Sequence, residues 1–208
     1  MHEDMTEANL MGRPGLTPGE WIPGPLYLVA KYGGMLNLDE IVEGRKDILV
    51  GIHPATDYRR YLPVAKRGEV IQFPDNAMIV ASFNPGYQIK GKDLKQSTRQ
   101  RFVVIKMGYP SPEKELEIIT QESGVDQDVA TKLVTLANKI RAARTTTDVY
   151  LPEGASTRLL VDAGKLYRRR VEEDRDPKLH RIIEVCVFNP ITDDENQLKA
   201  LHNLLRGL

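Results

Sequence analysis

Two short apolar runs end abruptly on polar side chains: GMLNL runs into Asp39 and Glu40, and AMIVASF runs into Asn84-Pro85-Gly86. Runs of this length bounded by turn signals read as buried strands, and a buried strand that stops on an acid delivers carboxylates at its C-terminal edge. Between them, EIVEGRKDILVGI spaces Ile41, Val42, Ile48, Leu49 and Ile52 at helical intervals. The extended candidates RRYLPV and EVIQF, separated by AKRG, predict a hairpin or loop insert. Upstream, Pro25 to Tyr32 reads as a short helix with proline in its first turn, closed by Gly33-Gly34. Downstream, KDLKQSTRQ suits a polar helix and RFVVIKM a third apolar strand. After Gly108 the strand signals fade. SPEKELEIITQES, DQDVATKLVTLANKIRAAR, ASTRLLVDAGKLYRRRV and a final pair across KLHRIIEVCVF and DDENQLKALHNLL all carry helical periodicity, with Ser111 as an N-cap candidate. The expectation is an α/β region over 1–108 followed by an all-helical domain over 109–208.

Charge and cysteine usage narrow the function classes. Lys plus Arg and Asp plus Glu both total 29, so no net field draws in nucleic acid or an anionic membrane over long range. The single cysteine, Cys186, excludes an internal disulfide and suits packing in a reducing compartment. No run approaches the ~18 apolar residues of a membrane span, and the start MHEDMTEANLMGRPG lacks a signal peptide's basic and apolar regions. A cytoplasmic protein without a membrane span or a nucleic-acid partner is expected. His2, His53, His180 and His202 are too scattered for metal-ligand spacing. Arg168-Arg169-Arg170 is followed at once by Glu172, Glu173 and Asp174, which favours a solvated helix end over an acidic-partner site. Trp21, among Gly and Pro, reads as a loop anchor.

Several polar positions suggest phosphate chemistry, each with a plainer reading beside it. Apolar residues followed by Asp39-Glu40 match the Walker B pattern, in which the Asp holds Mg²⁺ and the Glu activates the attacking water. Acids also simply favour the start of a helix. Asn84 at a strand tip can orient that water, since ligands of open α/β sheets sit at the carboxyl ends of strands, or it can belong to an ordinary Asn-Pro turn. Arg99 and Arg101, just before the third apolar run, can reach a neighbouring subunit's phosphate as arginine fingers, or be exposed helix charge. Arg158, in the first turn of a helix after GAST, sits unfavourably at the positive end of the dipole unless it faces a phosphate.

The order of these parts, with "LNLDEIVEGRKD", "FNPGYQ", "KDLKQSTRQRF" and "EGASTRLL", closely resembles the CbbQ/NorQ/NirQ/GvpN group of MoxR-type AAA+ ATPases. "HEDMT" and "GPLYLVAKYGG" resemble the stretch preceding Walker B in that group, and the resemblance spans about residues 2 to 165. It implies an AAA+ P-loop NTPase parallel sheet followed by an all-helical lid. ATP and Mg²⁺ are the implied cofactors. Asp39 would be the metal and nucleotide ligand, Glu40 the catalytic acid of Walker B, Asn84 sensor 1, Arg101 the arginine finger with Arg99 a second candidate, and Arg158 sensor 2. The implied partners are further copies in a hexameric ring, a von Willebrand A-domain protein, and a client metalloenzyme of the rubisco or nitric oxide reductase type.

One part of the pattern has no match. GYQIKGKD places Gly86, Gly91 and Lys92 at P-loop spacing, but Asp93 stands where a hydroxyl should hold Mg²⁺, and a carboxylate there repels phosphate. The resemblance puts this segment after sensor 1, and G-x-x-x-x-G-K-[ST] occurs nowhere in the chain. The family carries that loop before the HEDMT segment, so the sequence reads as an incomplete AAA+ sheet lacking the first strand, the Walker A loop and the helix after it. That strand would lie between the Asn84 strand and RFVVIKM, so poor stability of the isolated chain is expected. Asn37 is a smaller departure, polar where a Walker B strand is apolar. Two functions follow: part of an ATP-hydrolysing remodelling motor, or a non-hydrolysing interaction subunit or remnant.

Overall fold

The computed structural model describes residues 1, 4–84, 94–146 and 151–206. The chain forms two compact units, Met1–Lys106 and Met107–Leu208.

The first unit is α/β. Helix α1 (Glu7–Met11) leads into strand β1 (Gly12–Pro14), which pairs antiparallel with β2 (Trp21–Pro23). The Gly/Pro-rich opening therefore folds as a hairpin, and Trp21 anchors it, with its ring 6.0 Å from Tyr27 and the Arg67 guanidinium 5.5 Å above its face. Helix α2 (Pro25–Tyr32) has Pro25 in its first turn and buries Leu26, Tyr27, Val29 and Ala30. Gly33 ends it at φ 82°, where any side chain would run into Asn76.

Strand β3 (Gly34–Leu38) then pairs in parallel with β6 (Ala77–Ala81), in the register Gly34 to Ala77 through Leu38 to Ala81. Both apolar runs that end on polar residues are thus neighbouring strands pointing the same way. The segment between them contains a 3₁₀ turn (Ile41–Glu43), α3 (Lys46–Gly51), α4 (His53–Thr56), and the antiparallel hairpin β4 (Tyr61–Val64) and β5 (Glu69–Gln72). The helix expected across EIVEGRKDILVGI is broken at Gly44, whose backbone is extended. Leu36 and Leu38 join the core with Leu10, Leu26, Ile41 and Ile52.

The strand expected from RFVVIKM does not form: residues 103–108 adopt no regular structure, and Val103 and Ile105 are 94% and 78% exposed. A strand is held by ladder hydrogen bonds to a neighbour, and β3–β6 is a two-stranded sheet among the described residues. High β-propensity without an adjacent strand therefore leaves this segment irregular. The sheet is also open on one face, where Met35 and Met78 are 66% and 59% exposed, whereas parallel sheets are normally covered on both faces.

The second unit is helical. Helix α5 (Gln96–Arg99) still belongs to the first unit, and the second contains α6 (Pro112–Ser123), α7 (Gln127–Thr146), α8 (Thr157–Glu172), α9 (Leu179–Ile183), a π-helical turn (Glu184–Phe188), α10 (Asn189–Ile191) and α11 (Glu195–Leu205). Ser111 caps α6 by accepting from the Lys114 amide at 3.3 Å, and Asp194 caps α11 through the Asn196 and Gln197 amides. Ile119, Leu133, Leu136, Ile140, Leu160 and Phe188 are central to one core, against which Cys186 packs. Burial and Asp162 push the Cys186 thiol above its ordinary value, which suits packing rather than reaction. Arg168 and Arg169 pair with Glu172 and Glu173 one turn on, at 2.7 and 2.9 Å, so the basic run is a solvated helix face.

A buried ion pair ties this unit together. Glu115 on α6 is fully buried and accepts both terminal nitrogens of Arg141 on α7 at 2.7 Å, and the Thr157 hydroxyl at 2.6 Å. Arg141 Nε donates to the Ala155 carbonyl at 2.9 Å, and its guanidinium lies 3.8 Å from the centre of the Tyr109 ring. Gly154 leaves no room for a side chain between Tyr109 and Arg141.

Two outcomes follow. Glu115→Ala strands Arg141 in the interior and lowers the helical unit's stability by about 3–5 kcal/mol in a denaturant titration. Val103→Ser with Ile105→Ser raises the fraction of monomer in light scattering of the 208-residue chain, because the exposed apolar segment drives self-association.

Candidate functional site

The β3–β6 register decides what stands at the strand ends. The ladder continues past the strands: Ser82 N–H donates to the Leu38 carbonyl at 3.1 Å and Ile41 N–H to the Ser82 carbonyl at 3.0 Å. Asp39 and Glu40 are thereby held beside Ser82, with Asn84 two residues further along the same chain end. The Ser82 hydroxyl donates to Asp39 Oδ1 and accepts from the Glu40 amide at 3.3 Å. Glu40 is in the left-handed region, φ 48° and ψ 54°, and opens the 3₁₀ turn. A non-glycine residue there is uncommon and costs backbone energy, which turns the chain sharply as it leaves the sheet. Asp39, Glu40 and Asn84 are all exposed.

Ser82 escaped the sequence reading. Its only signal was a hydroxyl near the end of the AMIVASF run, and its role depends on the parallel pairing.

The arginines form a separate cluster in the same unit. Arg99 is exposed at the end of α5, and Arg101 is half-buried just beyond it. Arg101 donates from a terminal nitrogen to the Ser97 carbonyl, while its Nε is buried without a hydrogen-bond partner among the described residues. Thr98, 1% exposed, immediately precedes Arg99, and its hydroxyl is 2.9 Å from His53 Nε2. Burial, then the positive charge of Arg101, hold the His53 imidazole below its ordinary pKa, with Lys95 acting in the same direction and Asp57 against it. Asp57 is itself held low, chiefly by its hydrogen bond from Arg59. His53 was set aside in the sequence as a scattered histidine, and nothing in spacing alone links positions 53 and 98.

Arg158 belongs to the helical unit, exposed in the first turn of α8, one residue after Thr157. Ser156 caps that helix by accepting from the Leu159 amide at 3.4 Å. Gly86, Gly91, Lys92 and Asp93 lie outside the described residues, as does His2.

The donor set bears on a metal. Among the described residues no three His, Cys, Asp or Glu side chains converge. Mg²⁺ needs no such cage, since it keeps several waters and takes one or two carboxylates plus substrate phosphates. Asp39 fits that requirement: Ser82 engages its Oδ1, and the residue is exposed at the sheet edge. Among the described residues no helix is long and apolar enough to cross a membrane.

Comparison with known proteins places these features in a family. Residues 1–102 match the AAA domain of the dynein-related subfamily, and residues 115–208 match the CbbQ/NirQ/NorQ C-terminal family. Protein NorQ of Paracoccus denitrificans is 45% identical over 209 aligned positions, covering 100% of this chain and 74% of that protein. The chain belongs to the CbbQ/NirQ/NorQ family. Two further relatives agree: Protein CbbQ of Hydrogenophilus thermoluteolus, 46% identical over 96% of this chain and 72% of that protein, and the denitrification regulatory protein NirQ of Pseudomonas aeruginosa, 39% identical over 98% and 76%. This CbbQ/NirQ/NorQ member thus carries an α/β AAA fold with a parallel sheet, followed by a helical C-terminal part.

The His53 environment makes a pH prediction. Its folded pKa is depressed, so the unfolded chain takes up the proton first as pH falls. Stability present above the ordinary value of 6.5 is lost as pH drops through that value and on toward the lower folded one. Arg101→Gln removes one of the two leading causes and raises the His53 pKa toward 6.5, measured by deuterium exchange at the histidine C2 position read by mass spectrometry.

Proposed function

We propose that this chain supplies the Walker B, sensor and arginine-finger parts of a MoxR-type AAA+ ATPase that hydrolyses ATP to remodel or activate a client metalloenzyme. The observation that carries the reading is the parallel β3–β6 register, which sets Asp39 and Glu40 beside the strand that leads to Asn84, at the carboxyl end of the sheet. In this reading Asp39 would hold a hydrated Mg²⁺, and the ion would supply positive charge against the negative charge that develops on the phosphate. Glu40 accepts the proton of the attacking water, and Asn84 orients that water. Arg101, with Arg99 as the second candidate, reaches a neighbouring subunit's γ-phosphate, and Arg158 approaches the phosphates from the helical unit. The working form is a ring, in our reading a hexamer in the cytoplasm, because a finger supplied in trans needs a neighbour at every site. A von Willebrand A-domain protein is the expected companion, and the client is of the rubisco or nitric oxide reductase type, in keeping with relatives named CbbQ and NorQ.

No G-x-x-x-x-G-K-[ST] stands in these 208 residues, so nothing in them cradles the β- and γ-phosphates through backbone N–H groups and a lysine. Hydrolysis therefore belongs to a loop-bearing protein, one in which these residues work with a phosphate-binding loop. The same observation favours a second reading, in which the chain alone acts as a non-hydrolysing interaction subunit.

Steady-state assays separate the two. The 208-residue chain by itself gives no ATP turnover; turnover that disappears on Glu40→Gln overturns that expectation. In the loop-bearing protein Glu40→Gln abolishes turnover, and Arg101→Ala lowers it to a residual level about 10³-fold below wild type. Mixing the two variants restores part of the activity, since some interfaces then pair an intact Glu40 with an intact Arg101. Absence of any rescue refutes the shared site.

A further inference from the structure

Helix α5 contains only Gln96–Arg99, and a single turn of helix does not hold itself in water. Its place is set from outside, and the structure shows by what. Thr98 turns its side chain inward, where its hydroxyl meets His53 Nε2 at 2.9 Å, and its own carbonyl accepts the Arg101 amide at 3.1 Å. One residue therefore links an imidazole on α4 to the backbone of the arginine. His53 stands on a firm base: the flanking Ile52 and Ala55 are buried in the core of the α/β unit, and the Thr56 hydroxyl donates back to the Ile52 carbonyl at 3.1 Å.

We propose that His53, acting through Thr98, is the positioning residue for Arg101. The proposal rests on the reading of Arg101 as the arginine finger. The Thr98 hydroxyl both donates and accepts, so it can satisfy either tautomer of the imidazole. Burial first, and then the closeness of Arg101, hold the His53 imidazole below its ordinary pKa, so it fixes the turn without adding a second cation beside the guanidinium. Arg101 makes few hydrogen bonds of its own, although Asp57 is near enough to attract it through charge. One terminal nitrogen reaches the Ser97 carbonyl and Nε has no partner among the described residues. A side chain so lightly held depends on its backbone for direction, and that backbone hangs from Thr98. Thr98 at 1% exposure cannot shift outward to another partner without opening the core edge.

Positioning of a transition-state group has a kinetic signature distinct from general destabilisation. A displaced finger loses kcat and leaves ATP affinity alone, because it contributes when charge develops on the transferred phosphoryl group. In the loop-bearing protein, His53→Ala is expected to lower kcat by about 10²-fold with KM for ATP unchanged. Thr98→Val, nearly isosteric but without the hydroxyl, gives the same pattern, and Thr98→Ser keeps near-wild-type turnover. The Thr98 pair carries the test even where His53→Ala disturbs folding. Adding His53→Ala to Arg101→Ala produces no further loss, because the group being positioned is already gone.

Wild-type kcat in Thr98→Val overturns the proposal while leaving the finger reading intact. So does a raised KM with kcat unchanged, or a His53→Ala loss that persists in the Arg101→Ala background. If Arg101→Ala alone leaves turnover unchanged, the finger reading itself fails, and the positioning proposal with it.

Discussion

The α/β unit depends on one register, Leu38 against Ala81 in the parallel β3–β6 pair. Parallel strands have no tight turn to set their alignment, so it must be fixed by contacts at the ends and by packing. At the entry, Gly34 N–H donates to the Asn76 carbonyl at 3.1 Å, and Gly33 gives Asn76 room that any side chain would take. At the exit, Ser82 bonds to Leu38, Asp39, Glu40 and Ile41 through its amide, hydroxyl and carbonyl. Between them Leu36 and Leu38 face the core. A slip of one residue would turn Asn37 inward and move Asp39 away from Ser82.

The helical unit uses a different means to the same end. Its functional candidate, Arg158, lies in the first turn of α8, and the start of that helix is tied down by Glu115 and Arg141 through Thr157 and Ala155. A carboxylate buried close to a helix N-terminus also offsets the dipole end that Arg158 opposes. Burying an ion pair costs desolvation, and it is tolerated here because Glu115 and Arg141 share two hydrogen bonds and meet further partners on Thr157, Ala155 and Tyr109. The geometry around α8 is thus specified by polar contacts, with the apolar core beneath supplying the bulk of the packing.

Much of this was legible from residue patterns. The helix from Pro25, the hairpin of Tyr61–Val64 with Glu69–Gln72, the Ser111 cap and the long helices after Gly108 all follow from local chemistry: proline at a first turn, period-two alternation, a hydroxyl before an amphipathic run. RFVVIKM was the failure. Its β-propensity is genuine, but propensity describes how a segment behaves when a neighbour is present, and among the described residues none pairs with it. Ser82, His53, Thr98, Glu115 and Arg141 were equally invisible, since each acts through a partner 26 to 45 positions away.

By itself the sequence determined the long helices after Gly108, the two apolar strands that end on polar residues, the family, and which residue types stand at those strand ends, because these follow from short-range periodicity and motif order. It also determined that these residues hold no Walker A pattern, which chemistry alone excludes at Asp93. Only the tertiary structure decided that the Asp39-Glu40 and Asn84 strands are parallel neighbours, that Ser82 engages Asp39, that His53 reaches Thr98, and that RFVVIKM finds no strand to pair with among the described residues. The physical reason is that pairing, burial and side-chain hydrogen bonds between distant residues are properties of the folded chain as a whole, which local propensity does not encode.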